Sequence, residues 1–344
     1  MSIDFTRPYT ASWRVMRLDE DTWQGVSQLP GAVSVTISRD CTDSVPLLES
    51  ASVEVDLDAA FEEGWYRIEA LCSQDGGTEV VPIATVLLTE GSGKLSRGLR
   101  TATLDGSSVL QPAADEKFDH GAYAPEGADG ALVAARILSS VTPAPVETVG
   151  GFTLSDNIVY DLGSSYLEGV WAILDSAGWC IRIAEDGTIR ICAKPSAPDE
   201  DFPIIAPNIV MPEIGYESGI TSVPNVYIAI DGDQTAEAVN DDPASPTSTV
   251  SRGRRIVTVD SSPSRVDGES LQAYARRRLA EDRTVMAMTY SYKREYFPGI
   301  VPFDLLRVQL PDAGIDGEFR VLSQSVTLSH GIEIDEKAGI EVVA

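Results

Sequence analysis

Three short stretches place residues at spacings that chemistry uses. Gly91-Ser-Gly-Lys94-Leu-Ser has the glycines and lysine of a loop that cradles phosphate. Such a loop needs glycine six positions before the lysine and Ser or Thr after it. Leu88 and Leu95 stand there instead, so the stretch reads as a turn between strands. Asp231-x-Asp233-x-Thr235, with Asp242 at position twelve, imitates a calcium loop, but Ala236 replaces the glycine at position six and strand, not helix, precedes it. His120 and His330 lie far apart in the chain and outside any nucleophile or metal motif. No Gly-x-Ser-x-Gly is present to support a hydrolase triad. Cys41, Cys72, Cys180 and Cys192 form no Cys-x-x-Cys, and with only two histidines, far apart in the chain, no zinc site is expected. Carboxylate pairs arise by chance in a chain with 53 acids and carry no weight as glycosidase signals. Trp13, Trp23, Trp65, Trp171 and Trp179 each sit in or beside an apolar pattern and read as core rather than as sugar platforms. The residues thus predict no catalytic site, no metal, no cofactor and no enzyme.

The charge is the unusual quantity. Fifty-three acids against 26 bases leave a net −27 over 344 residues, a surface that repels nucleic acid and anionic lipid. Two readings fit: an acidic surface kept for solubility, or a passage for DNA whose wall must not hold the DNA. The start, Met1-Ser-Ile-Asp-Phe-Thr-Arg, is not a signal peptide. No apolar run approaches the roughly 18 residues that span a bilayer. Synthesis and folding in a cytoplasm are expected, with the four cysteines as reduced core residues.

The elements fall into three regions, 1–110, 111–203 and 204–344. In the first, Val33, Val35 and Ile37 alternate with Ser34, Thr36 and Ser38, and Val53, Val55 and Leu57 alternate with Glu54, Asp56 and Asp58. These are half-buried strands with one wet face. Further strands are predicted over 13–18, 65–72, 80–88 and 99–104, a spacing that suits a barrel or sandwich. The second region reads as α+β. Helical stripes run over 128–141 and 166–176, followed by a hairpin from Trp179 to Cys192. If Glu185-Asp186-Gly187 is its loop, with Gly187 left-handed, Cys180 lies opposite Cys192, where a cross-strand disulfide is conceivable. The third region holds a strand over 222–230, a polar, mobile loop over 231–255 and a helix over 270–283. Strands with a hairpin signal at Asp316-Gly317 close it.

Phe297 to Asp335, FPGIVPFDLLRVQLPDAGIDGEFRVLSQSVTLSHGIEID, gives the order Pro-Gly turn, strand, Asp-Gly, strand, long strand after a helix. This order resembles the second tube barrel of long-tailed phage tail hubs, the baseplate hub and late-control protein D family with its siphophage tail-tip relatives. Ser34-Val-Thr-Ile-Ser38 echoes Ser325-Val-Thr-Leu-Ser329, as two similar barrels in one chain would. The resemblance implies a mainly β fold with two β-barrel tube domains, at 1–110 and 204–344, and an α+β insert between them. It implies a structural virion protein at the distal end of the tail. There a homotrimer would close or continue the tube and provide the exit channel for DNA in transit. Expected partners are a distal tail ring protein, a tail tube or tape measure protein, and a distal fibre or spike. Glu54, Asp56 and Asp58 are the candidate lumen-facing acids, while Arg252, Arg254 and Arg255 should lie away from the lumen. A β-rich carbohydrate- or receptor-binding tail accessory protein is the alternative.

Overall fold

The computed structural model describes residues 3–42, 45–56, 60–96, 99–199, 202, 214–218, 223–245, 247–261, 263, 270–282, 284–310 and 314–343. Half the chain is strand and 14% helix, so the mainly β expectation holds. The first strands are β1 (Thr10–Leu18), β2 (Gly25–Gln28), β3 (Ala32–Asp40), β4 (Leu48–Asp56), β5 (Gly64–Gln74), β6 (Gly77–Ser96) and β7 (Leu99–Ser108). There follow α1 (Gln111–Asp115), β8 (Ala122–Ala124), α2 (Gly130–Ser139), β9 (Val146–Val149), β10 (Ile158–Tyr160), α3 (Tyr166–Asp175), β11 (Trp179–Ile183) and β12 (Ile189–Ala193). The remainder is β13 (Gly215–Ser218), β14 (Val226–Asp231), β15 (Gln234–Val239), α4 (Thr249–Arg252), β16 (Val257–Asp260), α5 (Leu271–Asp282), β17 (Thr284–Arg294), β18 (Leu305–Leu310), β19 (Ile315–Leu328) and β20 (Ile332–Val343).

The chain forms two compact units. The first comprises 1–212 and 292–337, the second 213–291 and 338–344. In the first, the main sheet has the order β20-β19-β3-β4-β7-β6-β5-β1-β2, with β18 also on β19. Among the described residues this ladder is an open path; no sheet closes into a barrel. The two echoing segments explain part of the departure from two separate barrels. They pair with each other, antiparallel and like with like: Ser325 with Ser38, Val326 with Ile37, Thr327 with Thr36. Val35, Ile37, Val326 and Leu328 are fully buried in one cluster, so the C-terminal strand completes the core that the N-terminal strands begin. The alternation that suggested two copies of a strand also makes those strands good partners.

The middle elements belong to the same unit. Ser165 caps α3 with a capping box to Glu168, and the Asp129 side chain caps α2. Their apolar faces pack on the hairpin β11–β12, whose Ile181, Ile183, Ile189 and Ile191 all face one core. The hairpin loop is 185–187 as predicted, closed by Ala184 and Thr188, with Gly187 at φ +87°. It is seated on the main sheet. The Trp23 indole donates to the Asp186 carbonyl at 2.9 Å, Arg67 Nη2 donates to the same oxygen at 3.0 Å, and the Thr85 hydroxyl donates to the Glu185 carbonyl at 3.3 Å. A Cβ on Gly187 would stand 2.7 Å from Thr85 Cβ. Gly187→Ala is therefore expected to cost about 2 kcal/mol, from the left-handed backbone and the overlap together, read as a fall in the thermal denaturation midpoint.

In the second unit β15-β14-β16 form a sheet, with β14 and β16 parallel, and β13 pairs with β17. Leu271, Tyr274, Ala275 and Leu279 of α5 pack on Tyr227, Ala229, Ala236 and Ala238, so the predicted helical stripe covers a three-stranded sheet. Residues 231–255 are not a loop. They contain the turn Gly232-Asp233, the strand β15 and the helix α4. Polar side chains hold the stretch between β15 and α4. Buried Asn240 donates to the hydroxyls of Ser245 at 3.0 Å and Thr247 at 3.3 Å. Buried Asn225 donates to the carbonyls of Thr247 and Arg254 and accepts from the Ile256 N–H. Here polar groups are interior because their hydrogen bonds are satisfied, which hydropathy cannot signal.

Candidate functional site

In the first unit, positions that strand alternation assigns to the buried face carry charge. Arg39 follows Val35 and Ile37 on β3, Glu49 shares a face with Val53 on β4, and Gln324 shares one with Val326 on β19. Arg294 on β17 and Glu336 on β20 have side chains 1% and 0% exposed. Arg39 donates Nε to Glu49 Oε2 at 2.8 Å, Nη1 to Gln324 Oε1 at 3.2 Å, and Nη2 to the Ile83 carbonyl. Gln324 Nε2 donates to Glu336 Oε2 at 2.8 Å. That oxygen also accepts from Arg294 Nε at 3.0 Å and Nη2 at 2.7 Å, while Glu336 Oε1 accepts from the Tyr292 hydroxyl at 2.6 Å. One continuous polar chain thus joins β4, β3, β19, β20 and β17.

Burial opposes the charge on Arg294, but Glu336 beside it holds its pKa above the usual range. Burial pushes Glu336 up, yet the Arg294 charge and the hydrogen bonds from Arg294, Tyr292 and Gln324 outweigh it and hold the carboxyl low. Next to this chain, the Tyr296 hydroxyl donates to Glu185 Oε1 at 2.8 Å and the Gly299 N–H donates to Glu185 Oε2 at 3.1 Å. Burial pushes the Glu185 carboxyl up to about 7, against Arg39, Tyr296 and Gly299. Glu185 and Arg182 line a cleft of about 220 Å³ with Pro82, Arg190 and Val301. Arg182 Nη2 pairs with Asp304 Oδ1 at 2.6 Å, and burial raises Asp304 to about 6 in spite of that partner.

The network's charges pair with one another. Its geometry is that of a clamp, tying residues near position 40 to residues near position 330. Sequence reading missed Arg39, Glu49, Glu185, Arg294, Gln324 and Glu336. The available signal was a polar residue at an inward strand position.

The singled-out motifs lie elsewhere. Gly91 to Lys94 is not a turn but part of β6, paired with β7 across an irregularity at Glu90–Ser92. A Cβ on Gly91 would meet the Thr103 carbonyl at 2.4 Å, so glycine here admits close backbone approach. Asp231 and Asp233 belong to the β14–β15 hairpin, with Gly232 at φ +58°. Asp316-Gly317 lies within β19, and Gly314, at φ +68°, precedes that strand. Among the described residues no three His, Cys, Asp or Glu side chains could together hold a metal ion, and no helix is long and apolar enough to cross a membrane.

On β4, Val53 and Val55 are buried, Asp56 is exposed, and Glu54 is half-buried, accepting from the Ser34 hydroxyl at 3.2 Å. Asp58 lies outside the described residues. In the second unit Arg252 donates to the Val223 carbonyl at 2.7 Å and Arg255 pairs with Glu237.

Similarity to known proteins lies in the fold. A tail protein from Neisseria meningitidis MC58 matches over 97% of this chain and 98% of its own, with TM-score 0.64 and 16% identity. The 43 kDa tail protein of prophage MuSo2 from Shewanella oneidensis matches over 96% and 98%, with TM-score 0.65 and 12% identity. Prophage tail protein gp18 from Listeria monocytogenes EGD-e matches over 95% and 94%, with TM-score 0.51 and 11% identity. No protein-family model matches the chain, and no curated protein matches it in sequence. The chain has the fold of phage tail proteins.

Proposed function

We propose that this chain is the hub at the distal end of a long-tailed phage tail, or of a phage-derived particle. Three copies form a ring that closes or continues the tail tube, organises tail-tip assembly and provides the exit channel for DNA. The observation that carries this reading is the fold match to tail proteins along almost the whole of both chains. The buried clamp supports it, since a ring that transmits load during ejection needs its outlying strands fastened together. The work is mechanical, not enzymatic. A distal tail ring protein and the tail tube or tape measure protein adjoin the ring on one side, and a fibre or spike on the other.

The excess of negative charge fits the channel. Duplex DNA carries one charge per ~1.7 Å of axis, and a few Lys or Arg contacts to phosphate would hold it. Glu54, Asp56 and Asp58 are assigned to the lumen wall, which lets DNA slide. Electron microscopy of the assembled particle tests both points. Three copies at this level with Glu54, Asp56 and Asp58 facing the central hole are expected. Two or six copies, or a lumen of net positive charge, overturn the reading.

A further inference from the structure

The hairpin β11–β12 has two faces of different chemistry. Its isoleucines enter the helix-packed core, and its other face carries Cys180 directly opposite Cys192, then Arg182 directly opposite Arg190. All four cysteines are free. Cys180 is fully buried and Cys192 is partly exposed. We propose that Cys180 and Cys192 are a thiol pair that hydroperoxides oxidise to a cross-strand disulfide, with Cys192 the attacking sulfur and Cys180 the resolving one.

The assignment of roles rests on exposure and on the charges facing each sulfur. Directly opposed residues on antiparallel strands have Cβ atoms about 4.5–5.5 Å apart, near the roughly 3.5–4.5 Å that a disulfide takes. Closure therefore needs only a small approach of the strands. Cys192, the accessible partner, is the one a small oxidant reaches. The Cys180 thiol hydrogen-bonds to it and lowers its pKa to about 7. Burial and Asp304 oppose that shift, and Arg182 and Arg190 assist it. The same hydrogen bond and burial push Cys180 up, against Lys194 and Arg182. The more exposed sulfur, with Arg182 and Arg190 favouring its thiolate, is thus the better nucleophile, while burial keeps the proton on its neighbour, the division of labour such a pair needs.

The chemistry balances with the peroxide as the only oxidant. The Cys192 thiolate attacks the O–O bond, an S–O bond forms, and hydroxide or alkoxide leaves. The sulfur has lost two electrons and becomes a sulfenic acid. The Cys180 thiol then attacks that sulfur, the S–S bond forms, and the sulfenic oxygen leaves as water with the thiol proton.

Hydrogen peroxide is added to the full-length protein at pH 7, remaining thiols are alkylated, and peptides are mapped by mass spectrometry. The expected product is a Cys180–Cys192 linked peptide, about 2 Da lighter than the two reduced peptides and reverted by dithiothreitol. Cys41 and Cys72, whose thiols burial pushes up to about 11, serve as internal controls and stay alkylatable. Cys180→Ser should leave a sulfenic acid on Cys192 that dimedone traps. In the untreated protein Cys192 should alkylate about tenfold faster than Cys41. Oxidation of Cys41 or Cys72 ahead of Cys192, or loss of Cys192 without a linked peptide in the wild-type protein, overturns the proposal.

Discussion

Glu336→Ala is expected to lower the stability of the first unit by about 3–5 kcal/mol, the usual cost of removing one partner from a buried ion pair. The Arg294 side chain is 1% exposed and donates twice to Glu336. Without the carboxylate it remains charged, out of reach of water, beside a Tyr292 hydroxyl and a Gln324 amide that lose the same acceptor. Urea denaturation followed by circular dichroism measures the loss. Replacing the pair together, Arg294→Met with Glu336→Leu, should recover much of it, because no charge is then left buried. The remaining deficit is the unmet Tyr292 and Gln324 groups, about 1–3 kcal/mol each. A loss under about 1 kcal/mol in the single variant would show that the network does not clamp the strands. The pH dependence has a definite sign. Glu336 is held low in the folded chain, so its contribution is present above the unfolded carboxylate value and is lost as pH falls through the folded one. The gap between wild type and variant persists at neutral pH and narrows in acid.

Regular elements were legible where apolar spacing was strong. The stripe Leu167, Val170, Trp171, Leu174 announces α3, and the β11–β12 hairpin follows to the register, because a left-handed glycine fixes its loop length. Three things were not legible. Strand partners across the chain were one: Ser34–Ser38 and Ser325–Ser329 look alike in sequence, and nothing local says that they pair. Polar cores were another. Asn225, Asn240, Ser245 and Thr247 are turn-formers by composition and become interior only because their hydrogen bonds close on one another. Buried charge was the third. Nothing local in Tyr292-Lys-Arg-Glu-Tyr296 marks Arg294 as interior; its partner Glu336 comes from a distant strand. The alternation of β3 and β19, once extended past Ile37 and back from Val326, puts Arg39 and Gln324 at inward positions, and such residues are candidates for a clamp whenever an opposite charge can sit on a neighbouring strand.

Between pH 5 and 8, wild type should lose stability relative to Glu185→Gln by an amount approaching about 3 kcal/mol. Burial raises the Glu185 carboxyl from 4.5 to about 7, so the folded chain keeps a proton that the unfolded chain has released. That stabilisation is complete below pH 4.5 and disappears as pH rises through 7. The groups facing the carboxyl account for the balance. The Tyr296 hydroxyl and the Gly299 N–H donate to it, and Arg39 attracts its ionised form. Glu49 repels that form, and removal from water outweighs the attraction. Water entering from the adjoining cleft screens part of the effect, so 3 kcal/mol is the upper figure. The glutamine keeps one acceptor for Tyr296 or Gly299 and never ionises. Its stability at low pH is lower than wild type by about 1 kcal/mol, the worth of one hydrogen bond, while its own curve lacks the alkaline decline. Thermal melts of both proteins across this range give the difference curve, and parallel curves would refute the assignment. The effect is local to the hairpin loop, which Glu185, Trp23, Arg67 and Thr85 seat on the main sheet. Hydrogen exchange of the 184–188 amides should therefore quicken above pH 7 before the melting temperature falls, because a seat held by a protonated carboxyl opens locally when that proton leaves.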